Sequence, residues 1–119
     1  MHDRTTLPSA YLHTIDLCLL RYHRERGELQ ILLHQRDAEP FAGHWALPGI
    51  VVNGDVEDRS LNDAVERLRR SSKVDMPLAW LEQVGTVGDA FRDPRCWSSS
   101  TFYLGILSEP VEPAAQQGF

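Results

Sequence analysis

The stretch NGDVEDRSLNDAVERLRRSSKV, residues 53–74, decides the fold because it holds the clearest helical pattern in the sequence. Ser60 is a favourable N-cap, and Asp63 stands three positions on, as the acid of a capping box does. Apolar residues recur at helical spacing and predict one buried stripe: Leu61, Ala64, Val65 and Leu68. Basic residues fill the second half: Arg67, Arg69, Arg70 and Lys73. The stretch therefore predicts an amphipathic helix with a cationic outer half.

The charges of this helix have an interpretation that needs no ligand. Asp63 with Arg67, and Glu66 with Arg70, are acid–base pairs four residues apart with the acid first. Each such pair stabilises a helix by about 0.3 kcal/mol. On this interpretation the cationic half is a solvated, salt-bridged face, and its arginines have only a structural role.

Extended segments flank the helix on both sides. In residues 12–22, LHTIDLCLLRY, the alternation places Ile15, Leu17 and Leu19 on one face of a strand. The other predicted strands lie at residues 29–36, within 46–55, at 77–87 and at 98–107. The first two strands predict a β-hairpin. The order β-β-loop-β-α-β-loop-β predicts an α+β domain built on a mixed β-sheet.

Length and charge limit the classes of function. A chain of 119 residues makes one domain. Its formal charge of −5 argues against direct nucleic-acid binding by this domain, because such binding relies on clustered basic residues. Eleven of the 12 basic residues are arginine, whose planar fork matches phosphates and carboxylates, so local anion sites remain open.

The sequence offers no targeting or membrane signal. Its first residues are charged and lack the apolar core of a signal peptide. The longest apolar run, residues 12–22, contains Asp16 and is too short to cross a bilayer. Cys18 and Cys96 match no metal-binding spacing and are expected to be free thiols. We expect a cytoplasmic protein without membrane association.

Two motifs resemble the Nudix hydrolase superfamily, whose members are MutT-like: GHWALPG at residues 43–49 and GDAFRDPR at residues 88–95. Their wider surroundings, residues 32–49 and 82–107, are similar to one branch of that superfamily. The branch contains ADP-ribose pyrophosphatases and Nudix-type regulators of NAD metabolism. The resemblance implies the Nudix fold, a mixed sheet with the Nudix-box helix packed on it.

The resemblance also implies a division of the chain. It places a Nudix-like domain at residues 12–108, between an N-terminal extension at 1–11 and a tail at 109–119. The C-terminal helix that usually completes the fold is expected to be missing from this chain. A homodimer would then cover the exposed sheet edge and apolar surface. Nudix-type regulators add a C-terminal winged helix that binds DNA, and whether one follows in a longer chain stays open.

The helix departs from the family at its metal-binding positions. With Leu68 aligned to an aliphatic position, Arg67, Arg70 and Ser71 fall where the family has three glutamates. In the family such carboxylates hold divalent cations, which neutralise a pyrophosphate and activate water. Guanidinium groups offer no oxygen ligands, although they can contact phosphate oxygens directly. The resemblance therefore implies ligand binding without a resident cofactor, with hydrolysis lost or weak.

An enzyme remains the alternative. Glu57, Asp58 and Glu82 are acids near the box that could form a relocated magnesium site. A Mg-dependent ADP-ribose or nucleotide-sugar pyrophosphatase would then result. Acids that precede a helix also favour its dipole and cap it, which is the structural interpretation of Glu57 and Asp58. A third possibility is a purely structural or interaction domain with no small ligand.

Nine residues are predicted to contact a nucleotide ligand such as ADP-ribose: Arg36, Phe41, Trp45, Gly49, Arg67, Arg70, Arg92, Asp93 and Arg95. The arginines suit a diphosphate, and an aromatic ring can stack on adenine. Gly49 permits close backbone approach in a turn with Pro48. Structural interpretations stand beside these. Trp45 is expected to belong to the core. For Arg36 the alternative is a strand-end arginine in solvent, and for Asp93 and Arg95 it is an ion pair within their loop.

Overall fold

The computed structural model describes residues 11–55, 57–71, 78–108 and 117–119. The elements, in chain order, are β1 Leu12–His23, β2 Glu28–Ile31, β3 Leu33–Gln35, β4 Trp45–Ala46, β5 Gly49–Val51, α1 Leu61–Ser71, β6 Leu78–Asp89, β7 Ser98–Leu107 and β8 Gln117–Gly118. Each predicted strand has a counterpart, and the predicted helix ends at Ser71 within the described residues.

The strands form two sheets. The larger has the order β2-β1-β7-β6, with β5 also paired to β1. β1 and β7 run parallel, from Leu12 opposite Ser98 to Leu20 opposite Ile106, while the other pairs in this sheet are antiparallel. The smaller sheet has the order β4-β3-β8. The predicted α+β fold with a mixed sheet is confirmed.

The predicted strand at residues 29–36 is shared between the two sheets. β2 pairs with β1 as the expected hairpin, whereas β3 pairs with β4 and β8. The chain passes from one sheet to the other at Leu32, which is buried and whose N–H donates to the Leu19 carbonyl at 2.9 Å. Leu32 therefore anchors the smaller sheet to the hydrophobic core.

The core lies between the large sheet and α1. The predicted alternation in β1 is confirmed, because Ile15, Leu17 and Leu19 are all buried. They pack with the predicted helix stripe, in which Ala64, Val65 and Leu68 are buried and Leu61 is partly buried. Burying each of the larger side chains contributes about 1.5–3 kcal/mol to the stability of the fold. The packing of these apolar side chains therefore holds α1 on this face of the sheet.

The helix begins as predicted, but its salt bridges differ. The Asp63 N–H donates to Ser60 Oγ at 3.1 Å, and Asp63 Oδ2 accepts from the Arg59 N–H at 3.1 Å. The expected pairs of Asp63 with Arg67 and of Glu66 with Arg70 are wrong. Acids of the preceding loop replace them: Arg67 pairs with Asp58, and Arg70 with Glu57. Glu66 pairs with Arg69 instead, one turn away.

The end of the chain takes part in the fold. Gln117 and Gly118 pair with β3, although the sequence predicts no element in the tail. The Phe119 ring packs against the core and lies under the Arg21 guanidinium, 3.6 Å from its carbon. Residues 109–116 lie outside the described part. Within the described ranges, no helix is long and apolar enough to cross a membrane.

Candidate functional site

One cleft gathers six of the nine predicted ligand contacts, and we call it the arginine cleft. It has a volume of about 290 Å³. Its predicted members are Arg36, Phe41, Gly49, Arg92, Asp93 and Arg95. Thr14 and Asp16 of β1 also line it. Because side chains alternate along a strand and the odd-numbered residues of β1 face α1, the cleft lies on the opposite face of the sheet.

The loop after β3 fixes one wall of the arginine cleft. The Arg36 N–H donates to the His44 carbonyl at 2.9 Å, and the Gly43 N–H donates to the Arg36 carbonyl at 2.7 Å. The Arg36 side chain closes the loop from within, since its Nε donates to the Pro40 carbonyl at 2.7 Å. Phe41 has a φ of 64°, a conformation rare outside glycine, and its side chain is 54% exposed. The loop therefore presents an open aromatic ring beside a fixed arginine.

The loop between β6 and β7 forms another part of the cleft lining. Asp89 Oδ1 accepts the N–H groups of Phe91 at 2.7 Å and Arg92 at 2.8 Å, which starts a tight turn. Arg92 Nη1 then donates to Ser98 Oγ at 3.1 Å. Asp93 pairs with Arg95, whose Nη2 donates to Asp93 Oδ2 at 2.7 Å. The pairing that was the alternative structural interpretation of this loop is present, and both partners also line the cleft.

The ion pair within the loop shifts the pKa values of both of its partners, Asp93 and Arg95. The hydrogen bond from the Arg95 guanidinium lowers the pKa of Asp93 below its ordinary value. The same bond raises the pKa of Arg95. Both groups therefore stay charged over a wide pH range, and Arg95 reaches the cleft with its charge largely balanced.

Arg36 and Arg92 supply the unbalanced positive charge of the cleft. Neither forms an ion pair with any residue of the described part of the chain. Each carries five N–H donors and uses one side-chain donor for the contact given above, so most of its donors remain available. Two guanidinium groups without an ion-pair partner in the described ranges, lining one cleft, favour an anionic ligand there.

The floor of the cleft contains a residue that sequence reasoning missed. Asp16 interrupts the apolar strand β1, and its carboxylate accepts a hydrogen bond from the Ser100 hydroxyl. Gly49 lies directly opposite, where an added Cβ would stand 2.6 Å from Asp16 Oδ1. The signal was Asp16 itself, the single acid of β1, on the face of the strand opposite the core. The predicted need for glycine at position 49 thus has a specific cause, the Asp16 carboxylate.

Three predicted ligand contacts lie outside the arginine cleft. Trp45, expected in the core, is 52% exposed on the short strand β4, so that expectation is wrong. Arg67 donates to Asp58 and to the Val51 carbonyl, the latter at 2.7 Å. Arg70 donates to Glu57 at 2.9 Å. The two arginines tie α1 to the chain before it, and the structure does not bring them together with the cleft arginines.

The acids considered for a relocated metal site are occupied by other partners. Asp58 is buried, and its carboxylate accepts from Arg67 Nε at 2.9 Å and from the Asn53 N–H at 2.9 Å. These hydrogen bonds, that of Arg67 above all, lower the pKa of Asp58 to about 2. Glu82 accepts instead from Trp80 Nε1 at 2.9 Å.

No group of three His, Cys, Asp or Glu side chains in the described ranges is arranged to hold a metal ion. Glu57 is engaged by Arg70, so the two loop acids each face a guanidinium group rather than open space. A divalent cation needs several oxygen ligands, and neighbouring guanidinium groups repel it. The residues present at the helix therefore do not fit a catalytic magnesium ion.

A second depression, of about 420 Å³, lies between α1 and β6. It is lined by Asn62, Val65, Glu66, Leu81, Gln83 and Tyr103. Although it is larger than the arginine cleft, its one charged lining residue is an acid, so it offers no positive charge to an anion. Burial raises the pKa of Tyr103, which keeps its hydroxyl neutral. We therefore place the candidate site in the arginine cleft.

Comparison with known proteins identifies relatives for nearly the whole chain. The chain is 35% identical over 107 residues to the ADPR responsive transcriptional repressor NtrR of Acinetobacter baylyi. This match covers 90% of the chain and 41% of that relative, so the chain spans less than half of the relative's length. No protein-family model matches the sequence.

Solved structures give the same result. The NUDIX domain of Shewanella oneidensis NrtR, crystallised with ADP ribose, superimposes with a TM-score of 0.79 at 32% identity. That match covers 98% of this chain and 76% of the NUDIX domain structure. A MutT/nudix family protein from Enterococcus faecalis superimposes with a TM-score of 0.71 at 30% identity, over 94% of this chain and 44% of that protein.

Proposed function

This chain belongs to the Nudix family, and from that premise we propose that its arginine cleft binds ADP-ribose or a related nucleoside diphosphate compound. The observation that carries the proposal is that Arg36 and Arg92, two guanidinium groups without an ion-pair partner in the described part of the chain, line the same cleft. A fold of this kind hosts many functions, so the proposal rests on the site and on the relatives together.

The cleft suits a diphosphate with a neighbouring group. Arg36 and Arg92 can each fork onto phosphate oxygens, and such charge-assisted bonds are about twice as strong as neutral ones. Phe41 offers an exposed ring face on which a base can stack. At about 290 Å³ the cleft lies at the small end of ligand pockets, about 300–1,000 Å³, so part of the ligand stays outside it.

We propose further that binding needs no metal ion and that hydrolysis is lost or weak. Hydrolysis of a diphosphate in this family's manner relies on a cation to activate water. The helix positions that would hold one carry arginines, and the nearby acids Glu57 and Asp58 are already paired with them. Fixed guanidinium groups can neutralise phosphate charge but cannot generate hydroxide.

The regulatory role is proposed from the relatives. The Acinetobacter relative is named as an ADPR-responsive transcriptional repressor, and this chain matches 41% of it. We propose that this chain is the metabolite-sensing module of such a regulator, acting in the cytoplasm. With a formal charge of −5, this domain would not contact DNA directly.

We also propose that two copies associate through β6. This 12-residue strand lies at the edge of the large sheet, and Trp80, Val84 and Val87 on it are each more than half exposed. Association would cover both its open backbone groups and its apolar side chains. Light scattering should give the mass of a dimer for the wild type and of a monomer for Val84→Lys.

Thermal unfolding with ADP-ribose tests the binding, and an assay for released AMP tests hydrolysis. ADP-ribose at 100 times its dissociation constant should add about 2.7 kcal/mol, a shift of several degrees that does not depend on magnesium. Arg92→Ala should weaken binding about tenfold or more. Arg26→Ala, in the turn between β1 and β2, is the control and should bind as the wild type does.

The outcomes separate the candidate functions. A metal-independent shift without AMP supports the sensor. Release of AMP only in the presence of magnesium would refute the non-hydrolytic proposal and support the alternative, a magnesium-dependent pyrophosphatase. The absence of any shift with ADP-ribose or ADP, in the presence or absence of magnesium, would rule out a nucleoside diphosphate site in this cleft.

A further inference from the structure

Asp16 is an acid in a cleft that otherwise suits an anion, and phosphate binding does not explain it. Asp16 lies in β1 at the base of the cleft, which Arg36 and Arg92 also line. A carboxylate beside a diphosphate repels it, so Asp16 lowers the affinity of the cleft for phosphate alone. Apart from its hydrogen bond with Ser100, Asp16 has two roles open to it in the cleft: pairing with the arginines, or binding another group of the ligand.

Asp16 does not pair with the arginines. It forms no ion pair with any residue in the ranges 11–55, 57–71, 78–108 and 117–119. The Ser100 hydroxyl, itself buried, donates to Asp16 Oδ2. Asp16 Oδ1 receives no hydrogen bond from the same described residues, and it stands over Gly49, whose missing side chain leaves it room. Ser100 thus orients a carboxylate whose second oxygen keeps its acceptor capacity.

We propose that Asp16 is a specificity-determining residue that accepts hydrogen bonds from the hydroxyls of a ribose joined to the diphosphate. This inference rests on the proposed function and names the part of the ligand that the arginines cannot recognise. A carboxylate accepts hydrogen bonds and donates none when ionised, and neighbouring ribose hydroxyls are donors matched to it. Asp16 therefore selects a sugar-bearing diphosphate and disfavours one that carries phosphate groups alone.

Ser100 is the positioning residue of this arrangement. Its side chain faces the cleft side of β7, directly opposite Val87 on the neighbouring strand β6. Without the Ser100 hydroxyl, the Asp16 carboxylate could rotate away from the geometry that Gly49 accommodates. Ser100→Ala should therefore weaken ribose recognition in the same direction as a change at Asp16, but by less.

Two probes, one with and one without ribose hydroxyls, test the inference by calorimetry: ADP-ribose, and inorganic pyrophosphate, which has the diphosphate and no sugar. Asp16→Asn removes the charge with little change of shape. It should raise the Kd for ADP-ribose about tenfold, because hydrogen bonds to a charged acceptor are lost. The Kd for pyrophosphate should stay unchanged or fall, because the repulsion is gone. Glu25→Gln, an exposed acid in the β1–β2 turn, controls for the change in net charge.

The expected result in Asp16→Asn is therefore weaker binding of ADP-ribose with pyrophosphate binding unchanged or tighter, and no change for either probe in Glu25→Gln. If Asp16→Asn weakens both probes equally, or leaves ADP-ribose binding unchanged, Asp16 does not select the ribose and this inference alone falls. If the wild type binds neither probe, the proposed function fails first, and the inference falls with it. If the wild type binds pyrophosphate as tightly as ADP-ribose, the cleft does not recognise the ribose at all.

Discussion

Replacing Gly49 with alanine should destabilise the fold through one contact. The new Cβ would stand 2.6 Å from Asp16 Oδ1 and 3.3 Å from the Ile15 carbonyl oxygen, against about 3.4 Å for an ordinary contact. Asp16 could move away only by giving up its hydrogen bond from Ser100. Overpacking of this kind costs about 1–3 kcal/mol, and we expect a value in that range for Gly49→Ala.

A double-mutant cycle isolates the contact. In Asp16→Ala the close oxygen is absent, and the Ile15 carbonyl at 3.3 Å is the tightest remaining neighbour. A glycine replaced by alanine in a permitted conformation gains about 0.4–1 kcal/mol from the unfolded state, which offsets a small residual crowding. Gly49→Ala should therefore be close to neutral in the Asp16→Ala background, with a coupling energy of about 1–2 kcal/mol.

Urea unfolding of the four proteins measures the cycle, provided that the denaturant slope m stays constant among them. An equal cost of Gly49→Ala in both backgrounds would refute the reasoning, because the crowding would then come from the backbone and not from Asp16. A change in m would instead mean that the alanine alters the compactness of the native or the denatured state. Because Gly49 and Asp16 both line the cleft, the readout is stability and not ligand binding.

Three further predictions concern the framework of the fold. Leu17→Ala should lower the free energy of unfolding by about 2–5 kcal/mol in urea unfolding, because Leu17 is fully buried, whereas Leu29→Ala at an exposed site should change it by less than about 0.5 kcal/mol. Ser60→Ala should lower the free energy of unfolding by about 0.5–2 kcal/mol, seen as a lower urea midpoint, because the N-cap hydrogen bond is lost. Ser60→Asp should keep most of that free energy, because aspartate also caps a helix. The Asp58 carboxylate contributes stability that is present above its ordinary pKa of 3.8 and is lost as the pH falls towards about 2. The stability difference between the wild type and Asp58→Asn should therefore shrink over that interval, and a difference that stays constant with pH would contradict the role given to the pair.

Much of the fold follows from local patterns in the sequence. The alternation of Ile15, Leu17 and Leu19 and the stripe of α1 each show one apolar face, and the two faces meet in the core. What local patterns could not show is the division of residues 29–36 between two sheets. That division depends on the burial of Leu32, and a single leucine in an apolar run has no distinguishing signal.

The candidate site was predictable to the extent that its residues belong to the two stretches that carry the family resemblance, residues 32–49 and 82–107. Arg36 and Phe41 lie in one loop, and Arg92 and Arg95 in the other, and the structure brings them to one cleft. Asp16 escaped prediction because it lies in a strand distant in sequence from both loops. Its role depends on the pairing of β1 with β5, a contact that no periodicity reveals.

Arg67 and Arg70 of α1 show that the position of a charged residue in a sequence does not identify the group with which it pairs. Arg67 and Arg70 occupy positions where the resemblance implies metal-binding glutamates, and direct phosphate contact was one way to explain them. In the structure each meets an acid from the loop before the helix, and Arg67 also donates to a carbonyl of β5. A cation bound to its own internal acid cannot also neutralise a ligand at full strength, because the acid competes with the phosphate. On the proposed function, the loss of the metal site and the gain of an anion site would fall on different parts of the chain: the helix pairs its arginines with acids of the fold, and Arg36 and Arg92 on the two loops are the arginines proposed to meet the ligand.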